Sequence, residues 1–174
     1  MGERMVALRQ YFRTIAIITY LVGRLQGISP QVGKTVIQKM MYFLDFKGLG
    51  DFSFKLYHYG PYSSVVEGEL NYAAYLGAVE IQWMDDKGYS IRPREKAKRY
   101  EGLLTDDEKS IIDDVVNKFG RYNAKELALM ATILYFRRTL DDESTVKAVK
   151  SIKPQFSEGE IKEKLEIVKK YFHL

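Results

Sequence analysis

Apolar positions recur along this chain at two spacings, and the switches between them mark its elements. The most apolar stretch is IAIITYLV, Ile15 to Val22, flanked by Arg13 and Arg24. Apolar residues on every side predict a helix from Met5 to Leu25 that is buried on most faces, ended by Gly27 and the Ser29-Pro30 turn. In Lys34 to Phe46, KTVIQKMMYFLDF, residues Val36, Ile37, Met40, Met41, Phe43 and Leu44 share one face of a helical wheel. Gly48 and Gly50 stop this second helix. Phe54 to Tyr59, FKLYHY, alternates and is rich in aromatics, which predicts a strand that Gly60-Pro61 ends.

The Ser64-Val65-Val66-Glu67 sequence has the form of a capping box and opens a third helix that runs to about Gly77. Val79 to Met84 and Gly88 to Arg92 predict a hairpin around Asp85-Asp86-Lys87-Gly88. Beyond it the pattern is helical throughout. Thr105 with Glu108 and Asn123 with Glu126 cap helices ending near Phe119 and Arg138. A short helix follows from about Ser144 to Ile152. Ser157 and Glu160 open the last, in which Ile161, Leu165, Val168 and Phe172 line one face. Glu160–Lys164 and Glu166–Lys170 are spaced to pair on its other face. The expected fold is α+β and predominantly α-helical. Its N-terminal half is winged-helix-like, with a small antiparallel sheet (strand about 54–59, hairpin about 79–92), and its C-terminal half is helical. No Gly/Ser-rich boundary divides it, so one domain over 1–174 is expected, with sub-regions 1–92 and 93–174.

Composition narrows the function classes. The 174 residues include no Cys and two His, at positions 58 and 173. That removes disulfides, thiolate metal sites, iron–sulfur clusters and a Cys nucleophile, and disfavours a His-rich metal site. No metal and no cofactor are expected. The apolar run of eight residues is short of the ~20 a membrane span needs. No small-residue cleavage site follows it, so the expected compartment is the cytoplasm. Net charge is only +4, from 27 Lys and Arg against 23 Asp and Glu, which excludes a histone-like polycation.

Several segments imitate chemistry without completing it. Gly33-Lys34-Thr35 resembles the end of a phosphate-binding loop, but Ile28 stands where the motif needs Gly and no strand precedes it. The acidic doublets 85–86, 106–107, 113–114 and 141–142 lie in turns or on helices, where adjacent side chains diverge by about 100° and form no carboxylate pair. His58 sits between Tyr57 and Tyr59 and has no nucleophile beside it in sequence.

The helix order resembles a winged helix-turn-helix, yet the helix in the reading position carries Glu67 and Glu69 and neither Lys nor Arg. Phosphate contacts dominate DNA affinity, so that helix is a poor reader. The basic cluster lies after the hairpin. Arg92, Arg94, Lys96, Lys98 and Arg99 against Glu95 give +4, equal to the net charge of the whole chain. It is a candidate patch for nucleic acid or an acidic partner. Glu69 and Lys39 each border an apolar arc, and a half-buried charge wants a partner, so a Lys39–Glu69 ion pair is expected. Ten aromatic residues fall within 42–75. Tyr75, Asn71, Ser64 and Glu67 fall on the outer face of the third helix, a candidate contact surface.

The segments VIQKMMYFLDFKG (Val36 to Gly48) and KLYHYGPYS (Lys55 to Ser63), followed by a helix and a hairpin, resemble the Panacea, or SocA-like, antitoxin-domain proteins and their YwgA-like relatives. These share an LQKLLYF-type helix followed by a YGP turn. LTDDEKSIIDDVVNKFG, NAKELALMATILYF and KPQFSEGEI agree in outline, so the resemblance spans about residues 30–174. The long N-terminal helix and the Val36-Ile37 pair, where Leu is usual, depart from the pattern. The resemblance implies a protein that binds without catalysing, as an antitoxin or adaptor in direct contact with a protein partner. The expected contact region is Tyr59, Gly60, Pro61 and Tyr62 with Ser64, Glu67, Asn71 and Tyr75. The alternatives are a winged-helix nucleic-acid-binding regulator using residues 92–99 and, without positive support in the sequence, a hydrolase.

Overall fold

The computed structural model describes residues 2–174. In chain order its elements are α1 (Glu3–Tyr11), α2 (Arg13–Leu25), α3 (Lys34–Phe46), β1 (Lys55–Tyr57), β2 (Gly60–Tyr62), α4 (Ser64–Tyr75), β3 (Val79–Met84), β4 (Gly88–Pro93), α5 (Ala97–Glu101), α6 (Asp106–Phe119), α7 (Ala124–Arg137), α8 (Asp142–Ile152) and α9 (Glu158–Phe172). The α+β, mainly helical class is as expected.

Helices α2, α3 and α7 are the most deeply sunk. Every residue from Leu127 to Leu134 on α7 is buried, and so are eight of the thirteen residues of α2. Helix α7 packs on α3, α8 and α9, while α2 packs on α4, α5 and α6. Phe43 of α3 lies 4.5 Å from the ring of Phe119 on α6, which in turn stacks on Phe172 of α9 at 5.9 Å. This trio ties α3 and α6 to the C-terminal helix, each ring pair adding about 1 kcal/mol beyond its buried area.

Local signals fared well where the cap is written within one turn. Thr105–Glu108 and Asn123–Glu126 both close reciprocal capping boxes, and Ser157 accepts from the Glu160 N–H. Four expectations need correction. The N-terminal helix is not continuous: Phe12 leaves helical geometry, its ring turning edge-on to Tyr100 at 5.5 Å, and α1 buries no residue. The third helix is capped by Ser63, not Ser64, because the Ser63 hydroxyl accepts from the Val66 N–H, and Glu67 instead pairs with Lys34 at 3.0 Å. Helix α8 begins two residues early, capped by Asp141, whose carboxylate accepts from the Ser144 N–H. On α9, Lys164 pairs with Glu126 and Glu163, and Lys169 with Asp142 and Glu166, in place of the expected Glu160–Lys164 and Glu166–Lys170 pairs.

The sheet also differs. Where one strand is expected over 54–59, ended by Gly60-Pro61, residues 55–62 form an antiparallel hairpin, with Leu56 opposite Pro61 and Tyr57 opposite Gly60, turning at His58-Tyr59. It does not join the β3–β4 hairpin, so there are two separate two-stranded sheets. Pro61 is compatible with β2 because a proline lacks only a donor, and a short edge strand can spare one.

Candidate functional site

The β1–β2 hairpin is held at its base and free at its tip. Gly60 and Pro61 are buried. Gly60 has φ +103°, and a Cβ there would lie 2.6 Å from Thr132 Oγ1 and 3.3 Å from the Ala128 carbonyl oxygen, so the strand lies directly on α7. From α3, Lys39 Nζ donates to the Pro61 carbonyl at 2.7 Å. The Gln38 side chain donates to the Ser63 carbonyl and accepts from the Ser63 N–H, both at 2.9 Å. The Ser63 hydroxyl donates to the Phe52 carbonyl while capping α4. Beyond this clamp, Tyr57 and Tyr59 are 64% and 72% exposed.

Two cavities flank that tip. One, of about 350 Å³, is bounded by Tyr59, Ala124, Ala128, Lys153, Gln155 and Phe156. The other, of about 540 Å³, is bounded by Tyr57, His58, Gly60, Ile152 and Lys153. A third, of about 590 Å³, opens between Lys34, Tyr89 and Lys125 and shares Thr35, Ala124 and Lys125 with the first. A shallow groove thus runs from the β3–β4 turn past the N-termini of α3 and α7 to the tyrosine tip.

The electrostatics of this region rest on two buried lysines. The expected Lys39–Glu69 ion pair does not form. Lys39 is held by the Pro61 carbonyl, and the ion pair between α3 and α4 is Lys34–Glu67. Burial, followed by the charge of Lys153, pushes Lys39 down to about 8. Burial alone lowers Lys153. Among the described residues neither ammonium has a carboxylate within ion-pair distance. Glu69 is half-buried, and burial raises its carboxyl above the usual range.

The expected contact residues fall in two places. Tyr59 belongs to the groove, and Tyr62 is half-buried just before α4. On α4, Ser64 and Asn71 are exposed and Glu67 is engaged by Lys34. Tyr75, 85% exposed, stacks on Tyr72 at 6.3 Å, roughly 16 Å along the helix from Ser64. Gly60 and Pro61 present no surface to a partner. The basic segment is partly spent internally: Arg92 pairs with Glu80 at 2.5 Å and Arg94 with Glu95 at 3.2 Å. Lys96, Lys98 and Arg99 are exposed and make no ion pair among the described residues.

Lys153 and Phe156 carry no sequence signal. They follow α8 in an ordinary helix-ending stretch, and only the packing of α8 on α7 brings them beside Tyr59. Among the described residues no group of three or more His, Asp or Glu is placed to hold a metal ion. No helix is long and apolar enough to cross a membrane.

Residues 37–132 match the family described as antitoxin SocA-like, Panacea domain. The matched span covers more than half of the chain and runs from α3 to the middle of α7. It therefore contains Gln38, Lys39, the β1–β2 hairpin and Thr132, the groups that clamp the hairpin. No curated protein matches the chain.

Proposed function

The chain belongs to the SocA-like Panacea domain family, and on that premise we propose that it is a non-enzymatic, antitoxin-type protein acting by direct contact with a protein partner. The observation that carries this reading is the contrast within the hairpin. Four hydrogen bonds fix its buried base, from Lys39 to Pro61, from Ser63 to Phe52 and two between Gln38 and Ser63, while two large tyrosines project from its tip. A rigid support under exposed aromatics loses little entropy on docking, and Tyr is enriched at interface hot spots. We place the contact on Tyr59, Tyr62, Ser64, Glu67, Asn71 and Tyr75, with Gly60 and Pro61 shaping it from beneath.

The test is neutralisation. The tagged chain is used to isolate a partner from its native host, and that partner is then expressed with and without the chain. The reading expects growth inhibition by the partner alone, relief on co-expression and a complex that survives gel filtration. Tyr59→Ala and Tyr75→Ala, made separately, report which patch carries the contact. Absence of any partner whose effect the chain relieves would sink the proposal.

A second reading has one observation in its favour: Lys96, Lys98 and Arg99 are exposed and make no ion pair among the described residues. A nucleic-acid-binding regulator would show salt-sensitive gel shifts lost when these three are neutralised. The acidic outer face of α4 argues against its entering a groove.

A further inference from the structure

The cavity beside Tyr59 has an unmet electrostatic demand. Lys39 and Lys153 are 2% and 7% exposed. Lys39 has one acceptor, the Pro61 carbonyl, and the Lys153 ammonium has none among the described residues. Buried charges are ordinarily paired, because removing an ion from water costs more than the low-dielectric interior returns unless a counter-charge is present. Here two like charges are close enough to repel, and among the described residues no carboxylate pairs with either.

Lys153 is also within reach from outside. It lines the cavities on both sides of the hairpin tip. The unpartnered side-chain atoms sealed from solvent are Ser29 Oγ, the Tyr42 hydroxyl and Thr145 Oγ1, and the Lys153 ammonium is not one of them. The N-terminus of α7 opens on the same cavity through Ala124 and Lys125. Its cap, Asn123, satisfies the Glu126 N–H, and among the described residues the first two N–H groups of the helix, those of Ala124 and Lys125, have no hydrogen-bond partner. Those groups and the helix dipole favour an anion at the same place as the lysine.

We propose that this cavity is the receptor for a carboxylate side chain of a bound protein, the anchor of an acidic segment that lies across the groove under Tyr59. The carboxylate would sit between Lys153 and the free N–H groups of Ala124 and Lys125, with Lys39 contributing its field from behind. The occupant's being a protein rests on the antitoxin-type reading. The geometry itself favours a side chain over a nucleic-acid backbone: Lys39 and Lys153 are 2% and 7% exposed, too deep for a phosphate backbone to reach, and of the lysines lining the rest of the groove Lys34 is already paired with Glu67, which leaves Lys87 and Lys125 exposed. The apolar walls also suit the methylene stem of Glu and strengthen the charge–charge contact by excluding water.

The experiment is an NMR titration of the isolated, isotope-labelled full chain at fixed ionic strength with acetyl-Leu-Glu-Leu-amide, its Gln counterpart and inorganic phosphate. The expected result is saturable shifts at the amides of Ala124, Lys125 and Gln155 and at the Lys153 side chain with the Glu peptide. Affinity should fall by about tenfold or more for the Gln peptide and for Lys153→Met. Lys153→Met removes an unpaired buried cation and should fold, as circular dichroism will show. Lys153→Gln is the second variant if it does not. Lys39→Met should weaken binding less, since Lys39 acts through its field and its hold on the Pro61 carbonyl and makes no direct contact with the carboxylate. Equal binding of the Gln peptide, binding retained in the Lys153 variants, phosphate binding at least as tight as the Glu peptide, or no saturation would each overturn the proposal. No partner protein enters this titration, so failure here leaves the neutralisation result standing, and failure there leaves this one.

Discussion

Gln38 and Ser63 hydrogen-bond to each other in both directions, the amide of Gln38 donating to the Ser63 carbonyl and its oxygen accepting from the Ser63 N–H, each at 2.9 Å. One side chain on α3 thus stands in for the ladder partner that the backbone between β2 and α4 lacks. Both residues are buried. Replacing Gln38 by Leu would leave a buried donor and a buried acceptor unpaired at once, a cost of about 3 kcal/mol. Urea unfolding should show that loss with an unchanged slope. A variant as stable as the parent would mean that the clamp contributes nothing.

Gly60 is the second fixed point of the hairpin. Its φ of +103° is a region that L side chains rarely adopt, and an added Cβ would meet Thr132 Oγ1 at 2.6 Å. Thr132 cannot easily yield, because its hydroxyl donates to the Ala128 carbonyl at 2.7 Å within α7. Gly60→Ala is expected to destabilise by about 2 kcal/mol or more from strain alone. Gly60→Ala combined with Thr132→Ala should recover part of that loss, since it removes the conflict with Thr132 Oγ1 and leaves the backbone strain and the close approach to the Ala128 carbonyl oxygen at 3.3 Å. Thermal unfolding of the single and double variants measures the difference.

How far the sequence reveals this site depends on how local each contact is. The caps at Thr105, Asn123 and Ser157 lie three residues from their partners, and all three could be read from spacing. The Tyr59-Gly60-Pro61 motif is visible in the sequence as a motif but reads there as the stop of a strand, because Gly-Pro usually interrupts one. Its role as a strand depends on α7 beneath it and on Lys39 and Gln38 across from it. Lys39 showed its unease by lying next to an apolar arc, and the expectation that it needs a partner was sound. The partner is a backbone carbonyl beyond the hairpin turn, and a periodicity argument pairs side chains only. Lys153 is invisible from sequence because nothing local distinguishes a buried lysine from a solvated one.

Tyr42 offers a change in the opposite direction. It is 3% exposed, its ring packs edge-on to Phe54 at 5.2 Å, and its hydroxyl finds no hydrogen-bond partner among the described residues. Burial drives its ionisation well above the ordinary tyrosine range. Removing an unsatisfied buried hydroxyl while keeping the ring should stabilise the protein by about 1 kcal/mol. Tyr42→Phe is therefore expected to raise the midpoint of chemical unfolding. A fall would show that the hydroxyl is satisfied in solution.

Lys39 makes stability depend on pH with a definite sign. Burial, then the neighbouring Lys153 charge, lowers it from its ordinary 10.5 to about 8. Below that lower value the folded and unfolded chains both hold the proton, and the cost of the buried charge is present in full. Between the two values the folded protein has released the proton while the unfolded chain keeps it. The unfolded state then binds more protons, and stability rises with pH. Above 10.5 the two states match again and the cost has gone. The full span is worth about 3 kcal/mol, of which roughly 2 kcal/mol falls between about pH 7.5 and 9.5. Lys153, lowered by burial, adds to the slope in the same direction. Tyr42 and Tyr171, both raised, act in reverse only once unfolded tyrosines ionise near pH 10, so the window closes there. Unfolding free energies measured across that window should rise for the parent chain and rise less steeply for Lys39→Met, in which Lys153 alone of the two remains. A bound carboxylate beside Lys153 would hold both lysines in their charged form and flatten the parent's curve toward that of the variant.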